Sequence, residues 1–295
     1  MTGAQHPVVD RDLEAQLLEA ALLSGAHVLL EGPPGTGKST LLRQVASGRH
    51  VPFVLVEGNA ELTPARLVGH FDPALVLSKG YRPDIFVDGP LLEAMRSGGL
   101  LYVEELNRVP EETINVLLTV MSEAEITVPR LGRVPAAPGF GLVAAMNPYD
   151  AVGTARISSA LYDRTCRIAM GYQSEAAERR ILAMRTDCRD EPWRDRMVEL
   201  VRSTRDHPDV RIGSSIRGGI DAVGLAGELA RLRGVPLTDW TVGLQSAMAA
   251  LTGRIRLQES CPRTPEDVVA ELYEKAFGPR PDPENESGDA PPGEA

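Results

Sequence analysis

The stretch "AHVLLEGPPGTGKSTLLRQVAS", residues 26–47, joins a short apolar run to a helical pattern through a glycine-rich turn. Its centre, "GPPGTGKS" from Gly32 to Ser39, fits G-x-x-x-x-G-K-S/T, in which backbone N–H groups at a helix N-terminus cradle phosphate oxygens. At average residue frequencies a chain of this length matches that spacing by accident on the order of one time in a hundred. The strand before the turn and the helix after it lower the chance further. The bland alternative is a strand-to-helix turn with no ligand. In a loop of this kind the amides from Gly35 to Ser39 and the Lys38 ammonium neutralise β- and γ-phosphates, and the Ser39 hydroxyl binds Mg²⁺. Gly32, Pro33, Pro34, Gly35, Thr36, Gly37, Lys38, Ser39 and Thr40 are therefore the candidate nucleotide-binding residues, with ATP and Mg²⁺ as expected ligands.

Working outward, "VPFVLVEG" (51–58), "LLYVEE" (100–105), "GLVAAMNP" (141–148) and "TCRIAM" (165–170) are further short β-rich runs separated by helical patterns. Such alternation implies parallel βαβ units and an α/β layer sandwich with five strands. Before the first strand, "RDLEAQLLEAALLSG" (11–25) places Leu13, Leu17, Leu18 and Ala21 at helical spacing, with Gly25 suited to the C-terminal cap. "PEETINVLLTVMSE" (110–123) reads as a helix with Pro110 at its first position and acids in its first turn. Apolar residues nearly encircle it, which predicts deep burial. From Gln173 the pattern becomes helical, through "EAAERRILAMRT", "WRDRMVELVRSTRD", "IRGGIDAVGLAGELARLRG", "TDWTVGLQSAMAALTGRI" and "PEDVVAELYEKAF", the last capped by Thr264. The expected organisation is an α/β nucleotide-binding core over 1–172, a helical domain over 173–277 and a disordered, proline-rich acidic tail over 278–295.

"LLYVEELNRVP" (100–110) is a buried-strand pattern ending in Glu104 and Glu105. Successive side chains of a strand point to opposite faces, so the two carboxylates leave in different directions. Alone they would be the wet end of a strand. Beside a phosphate loop, at the C-terminal end of a parallel strand where α/β sheets bind ligands, one suits the magnesium shell and the other the orientation of water. Asn147 ends "GLVAAMNP", where its amide suits the γ-phosphate or the attacking water; Asn before Pro also fits a turn. Arg164, in "SSALYDRTCRI", suits a finger that offsets transition-state charge, in cis or from a neighbour. A surface ion pair with Asp163 is its alternative.

Composition bounds what else is possible. The chain has 295 residues and 43% apolar content, enough for a packed core. No stretch approaches the roughly 18 apolar residues of a membrane span, and the N-terminus has no signal pattern, so a cytoplasmic location is expected. Three dispersed cysteines and five histidines show no metal-ligand spacing. A formal charge of -10 and an aromatic fraction of 4% disfavour nucleic acid as a partner.

"GPPGTGKS", "YVEELNRVP", "EITVP", "AAMNPYD", "ALYDR" and "GSSIRGGID", in this order, resemble the MoxR family of AAA+ ATPases, near the magnesium-chelatase and CbbQ/NorQ-like branches. The likeness runs from about Leu13 to Phe277; E-L-N-R-x-P and N-P-Y-D are its more specific parts. It implies an AAA+ core, a helical lid and a ring, typically a hexamer, with nucleotide at subunit interfaces. It casts Glu105 as the catalytic glutamate, Asn147 as the γ-phosphate sensor, Arg164 as the finger entering the neighbour's site and Arg217 of "SSIRGG" as the second sensor arginine. Arg217 also fits an ordinary surface charge at a helix start. The segments 69–90 and 125–141 fall where the family carries an axial insert and a hairpin, and both also fit packing roles alone. The implied function is Mg²⁺-dependent ATP hydrolysis that remodels, matures or loads metal into a client protein, with a von Willebrand factor A domain partner. One departure stands out: Glu104 replaces the family's usual aspartate. That substitution favours a second reading, an ATP-gated binding module with negligible turnover.

Overall fold

The structure, a computed structural model, describes residues 8–148 and 158–281. The predicted disorder of the tail from Asp282 onward, and Tyr149 and Asp150 of the N-P-Y-D run, lie outside the described residues. The chain divides into two compact units, Met1–Tyr172 and Gln173–Ala295.

In chain order the first unit runs α1 (Asp12–Leu23), β1 (His27–Glu31), α2 (Lys38–Arg49), β2 (Phe53–Glu57), α3 (Pro64–Val68), β3 (Gly69–Phe71), α4 (Pro73–Lys79), β4 (Phe86–Asp88) and α5 (Pro90–Ser97). It continues with β5 (Leu100–Glu104), α6 (Glu111–Glu123), β6 (Glu125–Val128), β7 (Gly132–Pro135), β8 (Gly141–Met146), α7 (Ser159–Asp163) and β9 (Thr165–Ala169). Five strands form one sheet in the order β2-β5-β8-β1-β9. All its pairs are parallel. The continuous apolar runs of β1, β5 and β8 follow from having both faces covered. On one face Leu29, Leu101, Val103 and Leu142 pack with Leu67, Leu91, Ile114 and Leu161 of the helices. On the other, Val28, Leu30, Leu100, Tyr102 and Val143 meet Leu18, Leu22, Leu41 and Leu42 of α1 and α2.

Two helices differ from the sequence expectation. In α1 only Leu18 and Leu22 are buried, and Leu13 and Leu17 are exposed, because a single stripe faces the sheet. Helix α6 is not deeply buried all round: Thr113, Ile114, Leu117 and Val120 are buried, Val116, Leu118 and Met121 half-buried, and Pro110 is its N-cap rather than its first residue.

Both inserted segments form antiparallel pairs, β3 with β4 and β6 with β7. They meet: the Arg130 guanidinium lies 3.7 Å from the Tyr81 ring centroid, and Phe71 stacks edge-on with Tyr81 and Phe86.

The second unit comprises α8 (Glu175–Arg185), α9 (Glu191–Asp206), β10 (Val210–Ile212), α10 (Ile216–Arg233), α11 (Trp240–Leu251), β11 (Arg256–Leu257) and α12 (Pro265–Phe277). It is helical apart from the short antiparallel pair β10–β11, which is too brief to leave a sequence pattern. Its core holds Trp193, Met197, Val201, Leu251, Val268 and Tyr273. A Cβ at Gly243 would lie 2.0 Å from the Tyr273 hydroxyl, so glycine is what lets α11 and α12 approach.

Candidate active site

The phosphate loop leaves β1 at Glu31 and enters α2 at Lys38. Gly32 is required where the loop begins, since a Cβ there would sit 2.0 Å from the Met170 carbonyl oxygen. Gly35 and Gly37 adopt φ 78 and 90, the left-handed region that side chains disfavour. The Lys38 ammonium donates to the carbonyls of Gly32 and Pro33, each at 2.8 Å, and so lies over the loop. The Thr36 hydroxyl donates to Pro33 O at 3.0 Å and closes the turn.

Along β5, Leu100 and Tyr102 face α1 and α2, and Leu101 and Val103 face the other layer. The pleat therefore sends Glu104 toward α2. There the Ser39 hydroxyl donates to Glu104 Oε1 at 2.5 Å, with the Tyr102 hydroxyl 3.3 Å from Ser39 Oγ. Burial holds the Tyr102 phenol well above its usual pKa, so it stays a neutral hydroxyl beside this pair. The two residues expected to hold Mg²⁺ thus come together. A hydroxyl and a carboxylate oxygen at the mouth of a phosphate loop suit a hard cation that takes few protein ligands and completes its shell with phosphate and water.

Glu105 turns away. Its φ of 51 and ψ of 43 are left-handed, a conformation that costs a non-glycine residue roughly 1–2 kcal/mol. Strained backbone of this sort clusters at functional sites. The turn is supported from both sides. Gly58 N donates to Glu104 O at 2.7 Å, and a Cβ on Gly58 would lie 2.5 Å from Glu105 O. On the side-chain side, Arg108 Nη1 pairs with Glu105 Oε2 at 3.1 Å. Asn147 follows β8, the strand between β5 and β1, so it stands between the acidic turn and the phosphate loop. Its carbonyl accepts from Asn107 Nδ2 at 3.4 Å.

The other two predicted residues lie on other elements. Arg164 sits at the start of β9, where Thr165 pairs with His27, while Ala169 at the far end pairs with Glu31. At the strand rise, four residue steps separate these levels, about 13 Å, which places Arg164 at the opposite end of the sheet from the loop. It lies outside the sheet core, 37% exposed, donating to Ser122 Oγ at 2.7 Å and Ala160 O at 3.0 Å. The Asp163 contact is longer, at 3.8 Å. Arg217 belongs to the second unit, exposed in the first turn of α10. A Cβ at Gly218 would lie 2.3 Å from Ser214 Oγ and 2.7 Å from Leu251, so the G-G after Arg217 serves close packing of that helix start.

Sequence reasoning missed Gly58, Arg108, Tyr102 and a buried arginine, Arg11, which donates to the Thr36 carbonyl. Only the E-L-N-R spacing hinted at Arg108, as an i,i+3 partner of Glu105.

Comparison with known proteins identifies the family and the fold. Residues 27–165 match the AAA domain family, dynein-related subfamily. The chain is 33% identical over 221 residues to the uncharacterised YojN of Bacillus subtilis, covering 72% of each. The chain belongs to the MoxR family of AAA+ ATPases. Another relative of this MoxR-type chain is GvpN of Haloferax mediterranei, a gas vesicle ATPase, 31% identical over 206 residues, 64% of this chain and 59% of that protein. Among solved structures, a candidate ATPase from Cytophaga hutchinsonii matches with a TM-score of 0.51 at 20% identity, covering 91% of this chain and 90% of that one. A RuvB mutant of Thermotoga maritima matches with a TM-score of 0.52 at 17% identity over 93% of this chain and 74% of that one. Both agree in fold. Among the described residues, no helix is long and apolar enough to cross a membrane.

Proposed function

We propose that this MoxR-type chain hydrolyses ATP in an assembly whose neighbouring subunits complete each site. The observation that carries the reading is the meeting of Ser39 and Glu104 at 2.5 Å beside the phosphate loop, with Glu105 in a strained turn next to it. In the proposed mechanism the amides from Gly35 to Ser39 and the Lys38 ammonium take the β- and γ-phosphates. Ser39 and Glu104 would hold Mg²⁺, which supplies charge neutralisation at the phosphates. Glu105 orients the attacking water and accepts its proton. Asn147 meets the γ-phosphate from the adjacent strand. Arg164 is at the wrong end of the sheet for its own loop, which supports a role in the site of the next subunit, where it offsets transition-state charge. Arg217 carries the nucleotide state into the helical unit. A cation in the first turn opposes the helix dipole, and this cost supports a role beyond packing.

The wider reading is a cytoplasmic ring, by family resemblance a hexamer, that remodels or matures a client protein with a von Willebrand factor A domain partner. The joined surface of β3–α4–β4 and the β6–β7 hairpin, with Leu77 91% exposed, is where such a client or partner would touch. A second reading, a nucleotide switch with negligible turnover, draws support from the engagement of Glu105 by Arg108. ATP turnover decides between them. Hydrolysis that Glu105→Gln removes while ATP stays bound supports the enzyme; stoichiometric ATP binding without hydrolysis, alone and with a partner, supports the switch.

A further inference from the structure

Arg11 precedes α1 and is 6% exposed, one of few buried charged side chains among the described residues. Its Nη1 donates to Glu14 Oε1 at 2.7 Å. Its Nη2 donates to two main-chain oxygens, that of Thr36 at 3.2 Å and that of Gly171. A guanidinium Nη carries two hydrogens, so both are in use. Thr36 is fully buried within the phosphate loop, and Gly171 follows β9 just before Tyr172, where the first unit ends.

In a trans peptide the carbonyl and the next N–H point in opposite directions. A donor that grips the Thr36 oxygen from the buried side therefore turns the Gly37 N–H the other way, toward the mouth of the loop. Gly37 has no side chain to fix that peptide and sits at φ 90. The hold must come from outside the loop, and a charged, planar donor supplies it with directionality. The same nitrogen joins the loop to Gly171, so a shift of one carbonyl either moves the other or breaks a bond.

We propose that Arg11 is a positioning residue of the phosphate site: it aims the Gly37 N–H at the bound anion and links the loop's position to the segment leaving β9. The assignment rests on the nucleotide-binding reading of the loop. Arg11→Met and Arg11→Lys test it, through ATP affinity by calorimetry with Mg²⁺, steady-state turnover, and hydrogen exchange of residues 170–172 with and without ATP. Loss of charge-assisted bonds predicts ATP binding weakened about tenfold to a hundredfold in Arg11→Met, with KM rising by more than kcat falls. Arg11→Lys, which keeps a cation able to reach one carbonyl, falls between it and the native protein. ATP slows exchange at 170–172 in the native chain and leaves it unchanged in Arg11→Met. Native ATP affinity in folded Arg11→Met overturns the assignment, as does a lowered melting temperature with KM unmoved. Should Arg11→Met not fold, Arg11→Lys decides alone: an affinity loss of about threefold or more supports the assignment, and native affinity overturns it. Lys38→Ala separates the two failures. If it binds ATP as the native chain does, the loop reading falls and Arg11 with it. If it loses ATP while Arg11→Met does not, only the role of Arg11 falls.

Discussion

At one end of the core sheet, Ser39, Glu104, Lys38 and Gly58 are tied to one another or to backbone at 2.5–2.8 Å. At the opposite end, Arg164 lies 37% exposed just after the five-residue helix α7, held by a serine hydroxyl and one carbonyl. The first end is organised within a single chain, as a site that receives phosphate must be. The second end presents charge outward, which suits a group whose work is done on another subunit. On the proposed mechanism, the difference is between a phosphate-binding half-site complete in one chain and an arginine that acts at a neighbour's site.

The comparison breaks most readily at its exposed end. Arg164→Ala is expected to lower turnover about a thousandfold, the scale of a lost arginine finger, with ATP affinity kept. Mixing Arg164→Ala with Glu105→Gln subunits should restore part of the activity, since each supplies what the other lacks; no recovery on mixing would place both defects in one site. At the organised end, Glu105→Gln should cost roughly 10²- to 10³-fold in turnover with ATP still bound, measured by phosphate release and calorimetry. Glu104→Asp sharpens the account of the metal position: the shorter acid frees the contact with Ser39 and should raise turnover about tenfold at saturating Mg²⁺, a change of the size that small misplacements produce. Gly58→Ala forces a methyl against the carbonyls of Glu104 and Glu105, and a melting curve should show about 1–3 kcal/mol of destabilisation. The smallest effect is at Arg217, whose replacement by alanine should stabilise the helical unit by about 0.3–1 kcal/mol through the helix dipole while slowing turnover.

The sheet was legible because β1, β5 and β8 carry continuous apolar runs, 28–30, 100–103 and 142–146, a pattern that two covered faces demand. The glycine spacing gave the loop, and the pleat of β5 gave the direction of Glu104, whereas Glu105 leaves the strand through a left-handed turn that the pattern does not show. What escaped was made by distance in sequence. Arg11 reaches Thr36 and Gly171, and Gly58 meets the Glu104 carbonyl, across contacts that leave no local period. Helix α6 misled because its apolar residues go round the cylinder while only one stripe meets the sheet. The joining of Tyr81 to Arg130 is likewise invisible in two separate loops.

The central claim is that neighbours complete the site, and ATP turnover per subunit as a function of protein concentration, with Mg²⁺, tests it most directly. The account predicts turnover per subunit that rises with concentration to a plateau in the native chain and stays near zero in Arg164→Ala. Turnover per subunit independent of concentration down to a monomer confirmed by light scattering, and retained in Arg164→Ala, would contradict it.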